Sequence, residues 1–155
     1  MGFDANSAYH VLQLENVSNS TVDNLDLSSA FGNQRATGIR VSNSAGMETV
    51  TIKDCTIQLR HIGITISGGK DYTVTGNDLT NSGSTNAQPA VYLNGLVKKT
   101  LDGGIAMSGN TFGGANAETA LRCQDMRDFT IGDAGSDDIR LEDGTSGLTN
   151  VGNSN

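Results

Sequence analysis

The chain has no tryptophan, a single proline and only seven phenylalanines and tyrosines among its 155 residues. Hydrophobic residues make up 35%, below the globular norm of roughly 45–50% that counts glycine as well. A helical bundle would need more Ala, Leu, Glu and Lys. No run of eighteen apolar residues exists, so no membrane-spanning helix is expected. Lys and Arg total 10 against 17 Asp and Glu, a net charge of −7. Overall basicity for wrapping nucleic acid is therefore absent. The opening Met1-Gly2-Phe3-Asp4-Ala5-Asn6 lacks the basic and apolar regions of a signal peptide. There are only two cysteines, Cys55 and Cys123, and they match no metal-ligand spacing. No P-loop, zinc signature or Ser-His-Asp order is present, so neither a cofactor nor a metal is expected.

What the chain has in quantity is Gly, Asn, Ser and Thr, 65 residues together. Short β-rich runs recur between them. One series is Leu12-Gln13-Leu14, Ile39-Arg40-Val41, Ile64-Thr65-Ile66, Val91-Tyr92-Leu93, Leu121-Arg122-Cys123 and Ile139-Arg140-Leu141. A second lies between them: Ser20-Thr21-Val22, Val50-Thr51-Ile52, Tyr72-Thr73-Val74, Ile105-Ala106-Met107 and Phe129-Thr130-Ile131. Five residues after the last member of each of the first four comes Leu27, Ile57, Leu79 or Phe112. Two residues before those stand Leu25, Cys55, Asn77 and Asn110.

Several three- to five-residue strands per repeat, with a repeat of about 25 residues, indicate a parallel β-helix. Stacked coils pair their backbones at roughly 4.8 Å, and inward residues form aliphatic ladders. Tight bends account for the Gly, Asn, Ser and Thr. Asn77 and Asn110, at one register, suggest a stacked asparagine ladder inside a bend. The expected fold is all-β: a single domain over 1–155, a single-stranded parallel solenoid of about six coils. An antiparallel sandwich would want recurrent two-residue hairpin turns, and Asn94-Gly95 and Asp143-Gly144 do not recur at hairpin spacing.

The units ETVTIKDCTIQ, KDYTVTGNDLTNSG and GGIAMSGNTFGG resemble the right-handed parallel β-helix repeats of the pectate-lyase-like superfamily. That group includes polysaccharide lyases, polygalacturonases, alginate epimerases and phage tailspikes. The resemblance covers roughly residues 9–150 and concerns stacking rather than chemistry. The segment RHIGITISGG is faintly similar to the histidine-bearing strand of polygalacturonases. Their other catalytic motifs do not stand at the matching coils, so no catalytic residue is carried over.

Alternation turns Gln13, Arg40, Thr65, Tyr92, Arg122 and Arg140 outward on one ladder. Three of the six arginines fall there. Arg60 and His61 precede the third member and are expected nearby. Guanidinium groups bind carboxylate or sulfate bidentately, and Tyr packs against a sugar face. Arg40, Tyr92, Arg122, Arg140, Arg60 and His61 are therefore the candidate carbohydrate-binding residues. A solvated face with Arg held by Glu142, Asp138, Asp125 or Glu15 is the competing reading. Acidic residues crowd the C-terminal third, where Asp125, Asp128, Asp133, Asp137, Asp138, Glu142 and Asp143 suit bends better than a catalytic or Ca²⁺ site. The Thr21-Thr51-Thr73-Thr130 row, interrupted by Ala106, reads as a β face.

Two function classes follow. One is a structural or receptor-recognition module that binds surface polysaccharide, tailspike-like, on a virion or extracellular surface. The other is a lyase, epimerase or hydrolase acting on an acidic glycan. Open strand edges at both ends of a short stack suggest a fragment of a longer protein or a homo-oligomer. A trimer is the form that the tailspike resemblance implies. No nucleic-acid or membrane partner is expected.

Overall fold

The structure, a computed structural model, describes residues 10–27, 37–44, 46–58, 61–80, 89–94, 101–102, 105–112, 119–124, 126–127, 130–131, 139–141 and 149–150. Among these residues there is no helix. Fourteen short strands are formed by the described residues. One set is β1 (His10–Glu15), β3 (Thr37–Ser42), β5 (Ile64–Ser67), β7 (Pro89–Asn94), β10 (Thr119–Gln124) and β13 (Ile139–Leu141). They form a six-stranded sheet in that order, and every pairing is parallel. The other set is β2 (Ser20–Asp23), β4 (Glu48–Lys53), β6 (Lys70–Thr75) and β9 (Ile105–Ser108), again parallel. Bridges Asp26–Thr56, Thr56–Asp78 and Asp78–Thr111 continue the stacking beyond the second sheet. The pattern is consistent with a parallel β-helix: each unit gives one strand to each sheet and then a bridge.

The registers are those of the aliphatic triplets. Leu12 pairs with Ile39, Ile39 with Ile64, Ile64 with Val91, Val91 with Leu121 and Leu121 with Ile139. Val22, Ile52, Val74 and Met107 share the second register. Ile39, Val41, Ile52, Ile64, Ile66, Val74, Val91, Leu93, Leu121 and Cys123 are all fully buried. Each aliphatic side chain so buried stabilises the fold by about 1.5–3 kcal/mol. Leu12, Leu14, Val22 and Leu25 of the first unit are only partly buried, and among the described residues β1 and β2 are paired on one side only. Ile131 lies in β12 (Thr130–Ile131), which pairs with β14 (Thr149–Asn150). The segment between β7 and β9 adds a ladder that the repeat did not foretell, β8 (Leu101–Asp102) against β11 (Met126–Arg127).

The bends repeat as faithfully as the strands. Asn24, Asp54, Gly76 and Gly109 each follow the last paired residue of the second sheet, with φ of 52°, 53°, 65° and 66°. Asn and Asp tolerate the left-handed region by local hydrogen bonding, and Gly has no Cβ to clash. One residue before the Ser20–Val50–Tyr72 register stand Asn19, Thr49 and Asp71, the last two inside β4 and β6, with φ of 51°, 63° and 57°.

Two polar knots hold these bends. Asn77 Nδ2 donates to Ile52 O (3.1 Å) and Asn110 Oδ1 (2.8 Å), and Asn77 Oδ1 accepts from Cys55 N (3.0 Å). Asn110 Nδ2 donates to Val74 O (2.8 Å). The expected asparagine ladder therefore exists. Cys55 occupies the same slot one unit earlier, its thiol directed at Lys53 O (3.1 Å). The second knot centres on fully buried Asn43. It donates to Val17 O and Tyr72 Oη and accepts from Val17 N. Tyr72 in turn donates to Gly68 O (2.8 Å).

Candidate functional site

The outward row of the six-stranded sheet is continuous. Gln13, Arg40, Thr65, Tyr92, Arg122 and Arg140 are successive register partners. Gln13 is exposed, and Arg40, Thr65, Tyr92 and Arg122 are half-buried. None of these five turns into the core, because the apolar neighbours on either side claim the inward positions. Strand spacing puts Arg40 about 14 Å from Arg122 along the stack.

Among the ladder candidates whose side chains are described, Arg40, Tyr92 and Arg122, the structure brings two into contact. The Arg122 guanidinium lies 5.1 Å from the centroid of the Tyr92 ring. A cation over an aromatic face gains about 0.5–1 kcal/mol at a partly exposed site. The Tyr92 hydroxyl donates to Gln124 Oε1 and accepts from Asn94 Nδ2 (3.2 Å). Asn94 and Gln124 belong to a second outward row, Glu15, Ser42, Ser67, Asn94 and Gln124, rich in hydroxyls and amides. Arg122 is thus held as a planar fork beside amides. A guanidinium so placed can take a carboxylate or sulfate bidentately.

Arg40 stands two strands from Tyr92, with Thr65 between them. Its Nη1 lies 2.8 Å from His10 Nε2, a partner that sequence reasoning missed. No spacing rule links residues 30 apart, though both flank the β1–β3 ladder. Arg140 takes its place on the row by backbone register with Arg122. His61 is half-buried just ahead of β5, and its buried Nδ1 has no hydrogen-bond partner among the described residues. Burial holds its pKa below the ordinary imidazole value. Arg35, Arg60 and the carboxylates Asp125, Asp128, Asp133, Asp137, Asp138, Glu142 and Asp143 lie outside the described residues.

A further feature of this face escaped the alternation. Gly38, Gly63 and Ala90 have outward parity, yet all three are buried. The arginine row is therefore bordered on that side by small, buried residues.

On the second sheet, Thr21, Thr51, Thr73 and Ala106 are in register and face outward. Ion pairs Lys53–Asp23 (2.9 Å) and Lys70–Glu48 (2.7 Å) flank them. Among the described residues, no three His, Cys, Asp or Glu side chains group as a metal site. Both cysteines are buried and outside any disulfide. Among the same residues, no helix is long and apolar enough to cross a membrane.

Comparison of the chain with protein-family models, with curated proteins and with solved structures finds no match.

Proposed function

We propose that the chain is a right-handed parallel β-helix of about six coils, serving as a recognition module for acidic surface polysaccharide in the manner of a phage tailspike. The unbroken parallel register supports the solenoid, and parallel crossovers of this kind are right-handed in nearly all proteins. The observation that carries the function is the Arg122–Tyr92 stack, set between amide side chains on a row that also bears Arg40 and Arg140. A polyanion lying along that row meets cations and hydrogen-bonding groups together. The net charge of −7 makes such a row a local exception on the surface, and charge complementarity confers specificity. In the assembled form, three copies pack through the face carrying Thr21, Thr51, Thr73 and Ala106. That leaves the arginine row exposed at a virion or extracellular surface.

The test is binding of acidic and neutral oligosaccharides to the purified chain, with product analysis after prolonged incubation. Binding of acidic glycans without turnover is expected. Turnover would instead place the chain among enzymes acting on acidic glycans. Equal affinity for neutral and acidic glycans, or none for either, would overturn the proposal.

A further inference from the structure

His10 opens β1, and Arg40 sits on β3, the strand that pairs with it. Arg40 Nη1 approaches His10 Nε2 to 2.8 Å. A guanidinium only donates hydrogen bonds. Nε2 must therefore be the acceptor, and the ring must be neutral with its proton on Nδ1. That Nδ1 is buried with no hydrogen-bond partner among the described residues, so the Arg40 contact is what holds the imidazole. Protonation of the ring would set donor against donor and bring two positive charges to about 3 Å. In water-like surroundings that repulsion alone is on the order of 1 kcal/mol, and it grows with burial.

Among the described residues, little on the neighbouring elements offsets it. There β1 pairs only with β3, and β3 (TGIRVS) contains no carboxylate. Arg40 is the charged group that faces His10 among the described residues. On β1 itself, Glu15 lies at the opposite end and accepts from Gln13 Nε2. Burial and then Arg40 both push the His10 pKa below its ordinary value, in keeping with a neutral ring at pH 7.

We propose that His10 is an acid-sensitive latch on Arg40: the neutral ring holds the guanidinium at the β1 edge, and the protonated ring releases it to the glycan-binding row. The proposal rests on the glycan reading of that row. Acidification adds one positive charge at His10 and frees a second for an anionic ligand. By linkage, a bound polyanion raises the proton affinity of His10 by the same factor.

The probe is dextran sulfate, whose charge is constant between pH 5 and 8. Affinity of the wild-type chain should rise about fivefold or more from pH 7.5 to 5.5, beyond the rise shown by His10→Gln. In that variant an amide oxygen accepts from Arg40 at every pH. In parallel, the Arg40 Nε–Hε resonance should move with the His10 ring titration, read by NMR without ligand. The chain has only two histidines, and His10→Gln identifies which resonance is which. An Arg40 resonance that ignores the His10 titration overturns the latch, as does an identical pH dependence in wild type and His10→Gln. If dextran sulfate binds neither protein at any pH while Arg40 follows His10, the latch stands as a structural device and the glycan reading fails.

Discussion

Asn77 donates to the side-chain oxygen of Asn110 at 2.8 Å, from one unit of the stack to the next. Asn77 is buried to 1% exposure, so each bond it makes replaces one that water cannot supply. Its two neighbours in the earlier unit, Ile52 O and Cys55 N, depend on it.

Asn77→Ala should therefore cost about 2–4 kcal/mol, since it leaves a buried donor and a buried acceptor orphaned. Asn110→Ala, at a partly buried position, should cost less. Urea unfolding checks this: the midpoint falls while the slope is unchanged. Equal and small losses would mean that water serves the bend as well as the ladder does.

The second knot makes a contrast between two glycines. A Cβ on Gly69 would lie 2.6 Å from Tyr72 Oη and 2.9 Å from Met47 O, at φ +77°. A Cβ on Gly46, at φ +90°, meets nothing within 4 Å. Gly46→Ala should cost about 1–2 kcal/mol from left-handed strain alone. Gly69→Ala should cost clearly more, because backbone must also shift. Thermal or urea denaturation of the two variants decides it, and similar losses would contradict the packing described.

Thr49 is exposed with φ 63°, a poor place for a β-branched residue. Its register equivalents are Asn19 and Asp71. Thr49→Asn should raise stability by about 0.5–1 kcal/mol, part of the left-handed penalty. A lower midpoint in urea would show that the hydroxyl or methyl does something the backbone angle does not reveal.

Alkaline stability has a defined sign. Burial pushes both the Cys123 thiol and the Tyr72 phenol up to about 12. The folded chain keeps protons that the unfolded chain releases above about pH 9 for the thiol and about pH 10 for the phenol. Their contribution is complete below those values and is lost as pH rises toward 12. The urea midpoint should fall between pH 9 and 11. Cys123→Ala combined with Tyr72→Phe, weaker at neutral pH, should show a shallower fall. Parallel curves for the two proteins would contradict this origin.

The registers were legible because the side-chain period of a strand is two. Ile39-Arg40-Val41 over Ile64-Thr65-Ile66 admits one alignment that buries every aliphatic residue. The Asn77–Asn110 ladder was legible because both residues stand at the same offset from their strands. Asn43 and Tyr72 were not, since their bond joins a bend of one unit to a strand residue of the next at a different offset. The His10–Arg40 pair was hidden for a related reason: it depends on rotamers rather than on parity. The burial of Gly38, Gly63 and Ala90 likewise lay beyond alternation, which reports parity and not what covers a face.

The measurement that bears most directly on the proposed function is the affinity of Arg122→Ala for an acidic oligosaccharide, by titration calorimetry beside the wild-type chain. Loss of a charge-assisted contact should weaken binding by about 1.5–3 kcal/mol, with thermal stability almost unchanged. Tyr92→Leu, which removes the platform under the guanidinium, should weaken it by a smaller amount. Undiminished affinity in Arg122→Ala would show that the row is a solvated face and would overturn its proposed role in recognition.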